Sequence, residues 1–413
     1  MHKHLPKLLL QSQLALLLAL FLAAPPAEAA PPPGYTLEQL HVVFRHGNRT
    51  PEAPYPTDPN KNYTWPPMGW DQLSQAGIAS TFRLGRLFRQ LYGDFLGDLY
   101  YQTDVNATST DIPRTKLSLQ AFMAGLFPAK GSEQWDAPGS LGASWQPFVY
   151  HYMPKHLDDY LYMNGVECPR YAKEFAQAER SDRVRQILGS DPAMVAELTE
   201  KAGIGNSLAQ ISRFYCTISI ETDEGRIVPS WVKPFYPERL EKVSLWHFHV
   251  RVLTRVMQRL KAGPLVKHLV ATMKETRDGA KKPRLWIYSG HDDTVSALGL
   301  AIRTWGAMYP DFNAMLVLEL LKKADTGEYA VQVLVRESHA VDAHVVPVEG
   351  CDGNPCPLDK FHELVKDVIP QDWRKECQIG SAAAVSAGHP SALLLAVLGL
   401  LALPSTILRA ALR

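Results

Sequence analysis

The fold is decided by one stretch near the N-terminus, which reads HVVFRHGNRTP at residues 41–51. Its apolar, partly β-branched residues predict a buried strand. Gly47 and Asn48 tolerate unusual backbone angles, so the strand is expected to break into a turn just after Arg45 and His46. Because ligands dock at the carboxyl ends of strands in α/β sheets, the side chains at this break are the first candidates for a binding site.

Arg45, His46 and Arg49 stand at that break. Two guanidinium groups offer planar, permanently charged donors that suit the oxygens of a phosphate. A neutral imidazole between them can attack phosphorus, while the flanking cations stabilise the charge on the equatorial oxygens. We therefore interpret His46 as a candidate nucleophile and the two arginines as candidate phosphate ligands. A lone His beside Arg is more often a surface or capping group, but the longer string at a strand end favours the site.

A second strand end repeats this logic. Residues 284–288 predict a buried strand, SGHDDT follows at 289–294, and a helix is expected over 295–305. A helix N-terminus favours an anion, so His291 can donate to a phosphate oxygen. Asp292 can act as the general acid that protonates the leaving alkoxide, and Asp293 is expected to cap the helix. Capping alone would also explain a His-Asp pair, but two such strand ends favour one joint site.

The remaining pattern predicts an α/β fold, a three-layer sandwich with a mostly parallel central sheet. Helical spacing marks residues 74–92 and 115–126, a short strand is expected over 99–102, and a hairpin pairs 314–321 with 329–335. Residues 128–280 carry charge-rich helices, including a long one over 240–260, and predict an inserted, largely helical cap. His247 and His249 on that long helix do not share a face, which disfavours metal binding there.

Both ends of the chain carry targeting patterns. Residues 1–29 combine a basic start, a Leu/Ala run and a small-x-small site, and predict a signal peptide. Residues 378–413 include an apolar run that fits either a single membrane span or a lipid-anchor signal, with a slight preference for the span. The α/β domain is then expected over 30–127 and 281–377, with the cap at 128–280 between them.

Composition limits the partners and the compartment. Lys+Arg total 43 against 42 for Asp+Glu, so bulk charge points to no nucleic acid. Five cysteines indicate an oxidising compartment and leave one unpaired, with Cys351 and Cys356 spaced for a local bridge. Asn62 and Asn106 lie in sequons and are the expected glycosylation sites; a glycan on the third sequon, at Asn48, would contradict the proposed site. No cofactor or metal site is expected.

The chain resembles the histidine acid phosphatases of the lysosomal, prostatic and testicular type, through RHGNRTP at 45–51, SGHD at 289–292 and most of residues 37–377. The resemblance implies an α/β domain with a helical cap, no cofactor, and a homodimer as one possible assembly. It implies a phosphohistidine on His46, phosphate binding by Arg45, Arg49 and His291, and proton donation by Asp292. It also implies disulfides Cys168–Cys377 and Cys351–Cys356, with Met315 in place of the partner of Cys216.

One departure from the family's pattern concerns a third phosphate-binding arginine in a run of the form Arg-Ser-Thr-Asp-x-x-Arg-Thr. Here the run is TSTDIPRT at residues 108–115, and the phosphate-binding position is expected at Thr108, with Arg114 retained later in the run. A hydroxyl cannot replace a guanidinium over a developing negative charge, and losing such a donor typically costs about 3 kcal/mol in the transition state. Thr108 therefore motivates a catalytically impaired relative as an alternative.

Three hypotheses follow from the sequence. The first is an anchored, secretory-pathway phosphatase that acts on phosphomonoesters at acid pH, since Asp292 must be protonated when the leaving group departs. The second is an impaired pseudoenzyme that binds phosphorylated ligands. The third is a phytase-like or lipid phosphatase with a differently shaped pocket. The short tail after the apolar run favours the cell surface over the lysosome.

Overall fold

A mixed sheet of eight strands forms the centre of the computed structural model, which describes residues 31–306, 308–338 and 341–379. The strands run in the spatial order β3-β2-β4-β1-β5-β6-β7, with β8 paired to β6. Their bounds are β1 Tyr35–Arg45, β2 Val105–Thr110, β3 His151–Met153, β4 Leu285–Gly290, β5 Met315–Lys323, β6 Tyr329–Arg336, β7 His344–Val346 and β8 Cys356–Pro357.

The sheet divides into a parallel half and an antiparallel half. Strands β3, β2, β4 and β1 pair in parallel, whereas β1–β5, β5–β6, β6–β7 and β6–β8 are antiparallel pairs. The expectation of a mostly parallel sheet is therefore wrong, because antiparallel pairs make up about half of the sheet, while the α/β character is confirmed. The physical reason is the predicted hairpin, because two strands joined by a short turn can only pair antiparallel.

Twelve α-helices occur in the described residues. Their bounds are α1 Gln75–Leu96, α2 Pro113–Leu126, α3 Pro169–Glu179, α4 Asp182–Leu188, α5 Pro192–Glu197, α6 Leu208–Asp223, α7 Glu238–Val250, α8 Arg255–Lys261, α9 Gly263–Arg277, α10 Asp292–Ala301, α11 Leu358–Val365 and α12 Trp373–Glu376. Helices α1 and α2 cover one face of the sheet and α9, α10 and α11 cover the other, each through its own apolar cluster. The helical layers on both sides agree with the predicted sandwich.

Helices α3 to α7 build a third apolar cluster of their own, which contains Met194, Ile211, Phe214, Ile218 and Leu240 among its members. These helices lie in the segment 128–280 that the sequence assigns to a helical cap. Within that segment, however, β3 joins the sheet and α9 packs on it. These contacts favour an insertion that ends before Gly263, and the division into domains stays a prediction.

Three expected elements differ from the structure. The strand expected over 99–102 is wrong, since the strand begins at Val105 after a short 3-10 turn over Gln102–Asp104. The long helix over 240–260 is two helices, and Thr254 caps the second by accepting from the Met257 amide. The helix after β4 begins at Asp292 with His291 as its cap, so Asp293 is not the capping residue.

The cysteines pair as the resemblance implies. Disulfides join Cys168 to Cys377 and Cys351 to Cys356, and Cys216 is free. The first bridge ties the start of α3 to the end of the described chain. The predicted signal peptide and C-terminal anchor fall outside the described residues. Within the described part of the chain, no helix has the length and apolar character needed to cross a membrane.

Candidate active site

Three neighbouring parallel strands end at the same edge of the sheet and bring the two predicted motifs together. In register, Arg45 on β1 lies beside Gly290 on β4, and Ser109 on β2 lies beside Ser289. The His46 amide donates to the Gly290 carbonyl at 3.1 Å, which links the two strand ends directly. The carboxyl edge of the sheet is thus the floor of one site, as expected for an α/β sheet.

His46 is held as a neutral imidazole whose lone pair lies on Nε2. Its side chain is buried, and Nδ1–H donates to the Gly47 carbonyl at 2.8 Å, which assigns the proton to Nδ1. Nε2 then carries the lone pair and accepts from Arg114 Nε at 3.0 Å. Burial lowers the pKa of His46 well below its ordinary value, and the cations of Arg114 and Arg45 lower it further. His46 therefore remains an uncharged nucleophile even at acid pH.

The turn that follows His46 is fixed by close packing against α1. A Cβ on Gly47 would lie 2.5 Å from the Gly77 carbonyl oxygen, so only glycine fits there. The Asn48 carbonyl accepts from the Ser74 amide at 2.9 Å, and its side-chain oxygen accepts from the Ser80 hydroxyl at 3.1 Å. These bonds engage the Asn48 side chain in packing, which disfavours a glycan at that sequon.

Arg45 and Arg49 are buried cations with unused donors. Arg45 is 1% exposed, donates to the Pro310 carbonyl at 2.8 Å and stacks over Phe312. Arg49 donates to Glu52 at 2.9 Å. The Nε atoms of both arginines are buried without a hydrogen-bond partner among the described residues. Since unpaired buried donors are costly, an anion that accepted from them would stabilise the site.

Arg114, in the first turn of α2, is the third cation at the nucleophile. Besides its bond to His46, it donates through Nη1 to Asp71 at 2.8 Å. Burial lowers the pKa of Arg114 and Asp71 raises it, and the guanidinium stays charged at any physiological pH. Arg114, Arg45 and Arg49 each lower the pKa of the His46 imidazole, so three guanidinium groups stand near the candidate nucleophile.

His291 and Asp292 lie next to that cluster, at the start of α10. His291 Nε2 is 3.0 Å from the Thr110 hydroxyl, and burial, reinforced by Arg114, lowers the pKa of His291 to about 3. Asp292 lies 3.1 Å from Arg45 Nη2. Burial alone would raise the pKa of the Asp292 carboxyl, but Arg45 and His291 bring it below its ordinary value. Without ligand, Asp292 is thus a carboxylate in mildly acid solution.

A cavity of about 240 Å³ opens beside these groups. The start of α10 contributes Asp292 and Asp293, and helices α6 and α7 contribute the wall on the side of the helical segment. The lining residues are Arg49, Glu52, Ala209, Ser212, Arg213, Cys216, His247, Phe248, Arg251, Asp292, Asp293 and Tyr309. Among the described residues, no group of three or more His, Cys, Asp or Glu side chains is arranged to hold a metal ion.

A profile of the histidine phosphatase superfamily (branch 2) matches residues 36–336. The chain belongs to this superfamily. Human prostatic acid phosphatase is 32% identical over 349 residues, which cover 83% of this chain and 88% of that protein. Lysosomal acid phosphatase of Xenopus laevis is 30% identical over 374 residues, which cover 89% of this chain and 83% of that protein.

Because the matches to these acid phosphatases cover most of both chains, the chain is a phosphoric monoester hydrolase. Among solved structures, the phytase of Hafnia alvei in complex with tartrate superposes with a TM-score of 0.63 at 15% identity. That superposition covers 85% of this chain and all of the phytase chain. At this identity the likeness shows a shared histidine phosphatase fold.

The two positions singled out in the run at residues 108–115 have different neighbours in the structure. Thr108 lies within β2 and donates to Asn106 at 3.2 Å, whereas Arg114 follows β2 and reaches His46. The hydroxyl of Thr108 is thus engaged with a neighbour on its own strand. The alternative of a catalytically impaired enzyme, which rests on Thr108, stays a prediction. The strand-end rule, applied to β2 at its true bounds, would have found Thr110 and Arg114.

Proposed function

We propose that this histidine phosphatase hydrolyses phosphomonoesters through a phosphohistidine on His46. The observation that carries the proposal is the His46 Nε2 lone pair, which faces a cluster of three guanidinium groups and is kept neutral by burial. A phosphate that replaces the Arg114–His46 hydrogen bond would accept from Arg45, Arg49 and Arg114. His291 stands on the remaining side as a further ligand of the phosphate oxygens.

The first chemical step forms one bond and breaks one. His46 Nε2 attacks phosphorus, the bond from phosphorus to the ester oxygen breaks, and the leaving alkoxide takes a proton from Asp292. The Nδ1–H bond to the Gly47 carbonyl supports the positive charge that develops on the ring. The arginines bear the charge of the equatorial oxygens throughout, since they are aligned before the substrate arrives.

The second step returns the groups to their starting state. A water molecule attacks the phosphohistidine, the bond from nitrogen to phosphorus breaks, and Asp292 accepts the proton that water loses. Inorganic phosphate then leaves, and His46 is again neutral with its proton on Nδ1. Asp292 therefore serves as acid in one step and base in the next.

An acid optimum follows from the charges at Asp292. Arg45 lowers the pKa of this carboxyl in the free protein, but a bound phosphate would draw Arg45 toward itself and add negative charge nearby. Both changes raise the pKa of Asp292 in the complex, so that it holds a proton at acid pH. His46 stays unprotonated over the same range because its own pKa is so low.

The test is hydrolysis of an aryl phosphate from acid to neutral pH by the full-length protein and His46→Ala, with His151→Ala as a control. His151 is an exposed histidine on the edge strand β3. We expect His46→Ala to lose at least about 10⁴-fold in kcat and His151→Ala to stay within about twofold. Rapid quenching with ³²P-labelled substrate should place label on the peptide that contains His46. Activity retained by His46→Ala would refute the phosphohistidine.

A pseudoenzyme and a phytase-like specificity remain the alternatives. The first rests on Thr108 at the position of the family's third arginine, and hydrolysis by the parent protein would exclude it. Arg114, which contacts His46, is the arginine that the run retains. The second rests on a likeness of fold alone, and profiling of inositol, lipid and aryl phosphates would distinguish it.

The proposed setting is the secretory pathway, with the catalytic body outside the cytoplasm. The two disulfides and the prostatic and lysosomal relatives support it. The membrane anchor, the cell surface as final compartment, the homodimer, and the glycans on Asn62 and Asn106 stay predictions. Asn62 is exposed and Asn106 is half-buried.

A further inference from the structure

A second carboxylate, Asp293, stands beside Asp292 in the wall of the cavity and is tied to the helical segment. Its Oδ2 lies 3.1 Å from Arg251 Nη2 and accepts from Asn164 Nδ2 at 3.1 Å. Arg251 also donates to Asn164 Oδ1 at 2.9 Å, and Lys261 donates to the same oxygen. Asp293 is thus held by one direct ion pair and an amide that itself binds two cations. The reaction scheme above uses none of these groups.

The positions of these groups make Asp293 and Arg251 opposing influences on Asp292. The two aspartates are consecutive in the first turn of α10, and Arg251, directly after the end of α7, lines the same cavity. The side chains of Asp292, Asp293 and Arg251 are 26%, 19% and 21% exposed, so solvent screens their charges only in part. A neighbouring anion favours the protonated form of a carboxyl, and a neighbouring cation favours the ionised form.

We propose that Arg251 and Asp293 form a positioning pair that sets the pH at which Asp292 gives its proton to the leaving group. The proposal rests on the role of Asp292 in the proposed function. In the scheme above, neither member of the pair touches the reacting atoms. Asp293 supplies a fixed negative charge next to the proton donor, and Arg251 supplies the cation that offsets it.

Asp293 is suited to this role because it stays ionised. Burial alone would raise its pKa, but Arg251, His247 and Lys261 lower the pKa of Asp293 to about 2. It therefore keeps its charge across the acid range in which Asp292 must exchange a proton. The charges of Arg251 and Asp293 therefore stay constant during the reaction, and so does their effect on the pKa of Asp292.

Other charged or titratable groups face these two aspartates from each neighbouring element, and only some can be changed without loss of the phosphate site. Arg45 and Arg114 belong to the phosphate floor, and His291 is proposed to bind a phosphate oxygen. Arg251 is the cation in direct contact with Asp293 and lies outside that floor. Among the described residues these groups are Arg45 on β1, Arg114 on α2, Tyr171 on α3, His247 on α7, Arg251 directly after α7, Lys261 on α8, His291 and Tyr309, and Glu179 on α3 faces Arg251.

The test is the pH dependence of kcat for one aryl phosphate in the full-length protein, Arg251→Met, Asp293→Asn and the double variant. The rate falls at high pH when the proton donor of the bound complex ionises. Arg251→Met removes a cation, so we expect this alkaline limb to move up by about one pH unit. Asp293→Asn removes an anion and should move it down by about one pH unit. The double variant should return close to the parent.

A merely structural role would lower kcat or thermal stability and leave the limb in place. Arg251→Lys keeps the charge and should restore the parent limb even where it does not restore full kcat. Arg239→Met and Asp191→Asn are matched controls, since that pair lies at 2.6 Å among the residues outside the cavity lining. If the active variants at Arg251 and Asp293 had the same alkaline limb in the pH dependence of kcat as the parent, this proposal alone would be overturned. Absence of hydrolysis in the parent would overturn the proposed function and this inference with it.

Discussion

The floor of the site and the outer wall of its cavity are built on different principles. In the floor, Arg45, His46 and His291 are 1%, 1% and 7% exposed and are fixed by the ends of adjacent strands. In the wall, Arg213 and Glu52 are 61% and 42% exposed and stand on α6 and on a loop. From this difference we expect substitutions in the floor, whose geometry the sheet enforces, to affect the proposed reaction strongly and substitutions in the wall to affect it weakly.

The floor should be far more sensitive than its surroundings, and the sharpest contrast lies within one short run of sequence. Arg114→Ala removes a guanidinium from the nucleophile, and we expect a loss of about 10²- to 10³-fold in kcat. Thr108→Arg, which restores the arginine of the family's pattern, should change kcat by less than about threefold because Thr108 lies within β2 and its hydroxyl is engaged with Asn106. Steady-state kinetics on an aryl phosphate would measure both.

Changes in kcat of similar size for Arg114→Ala and Thr108→Arg would contradict the distinction between the floor and its surroundings. A large gain from Thr108→Arg together with a small loss from Arg114→Ala would return the third phosphate ligand to position 108. Lys116→Ala is a suitable control in the same helix, since Lys116 pairs with Asp111 outside the floor.

Behind the wall, Glu221 on α6 predicts a stability that depends on pH. It is fully buried beside Asp58, and burial, with Asp58, raises the pKa of Glu221 to about 8. The folded protein then retains a proton that the unfolded chain releases near the ordinary glutamate pKa of about 4.3. This contribution to the free energy of unfolding is fully present below that value and is lost as pH rises toward 8.

Thermal unfolding of Glu221→Gln and the parent should therefore differ in slope between about pH 5 and pH 8. We expect Tm of the parent to fall more steeply as pH rises, because the glutamine cannot ionise. Glu224→Gln, an exposed position at the end of the same helix, is the control and should follow the parent. Parallel curves for Glu221→Gln and the parent would show that Glu221 is ionised in the folded protein.

The smallest effect on catalysis is expected from the exposed charges of the outer wall. Arg213→Gln removes an exposed cation whose pair with Glu52 spans 3.5 Å. An exposed ion pair contributes at most about 1 kcal/mol, and a rim charge acts mainly by attracting the anionic substrate. We expect KM to rise about two- to fivefold with little change in kcat, and the difference to shrink at high salt. A loss in kcat comparable to that of Arg114→Ala would place Arg213 in the floor.

Much of the floor could be predicted from the chain itself because it depends on local rules. Buried strands that are followed by Arg45-His46 and by His291-Asp292 predict a site at a sheet edge, and the structure brings both strand ends together. The third strand end was misplaced, because residues 99–102 and 105–110 are both short and mixed in polarity. Arg114 was named only as a retained arginine of its run, and its contact with His46 came from the structure.

The sequence by itself determined the α/β character, the two motif-bearing strand ends and the hairpin. These follow from periodicity and turn residues, which act locally. An odd count of cysteines required one unpaired thiol, and the family resemblance implied that it is Cys216. Only the tertiary structure decided the balance of parallel and antiparallel strands, the contact of Arg114 with His46, and the pairing of Arg251 with Asp293. These contacts join residues 42 to 68 positions apart in the chain, and no local preference specifies which distant side chains will meet.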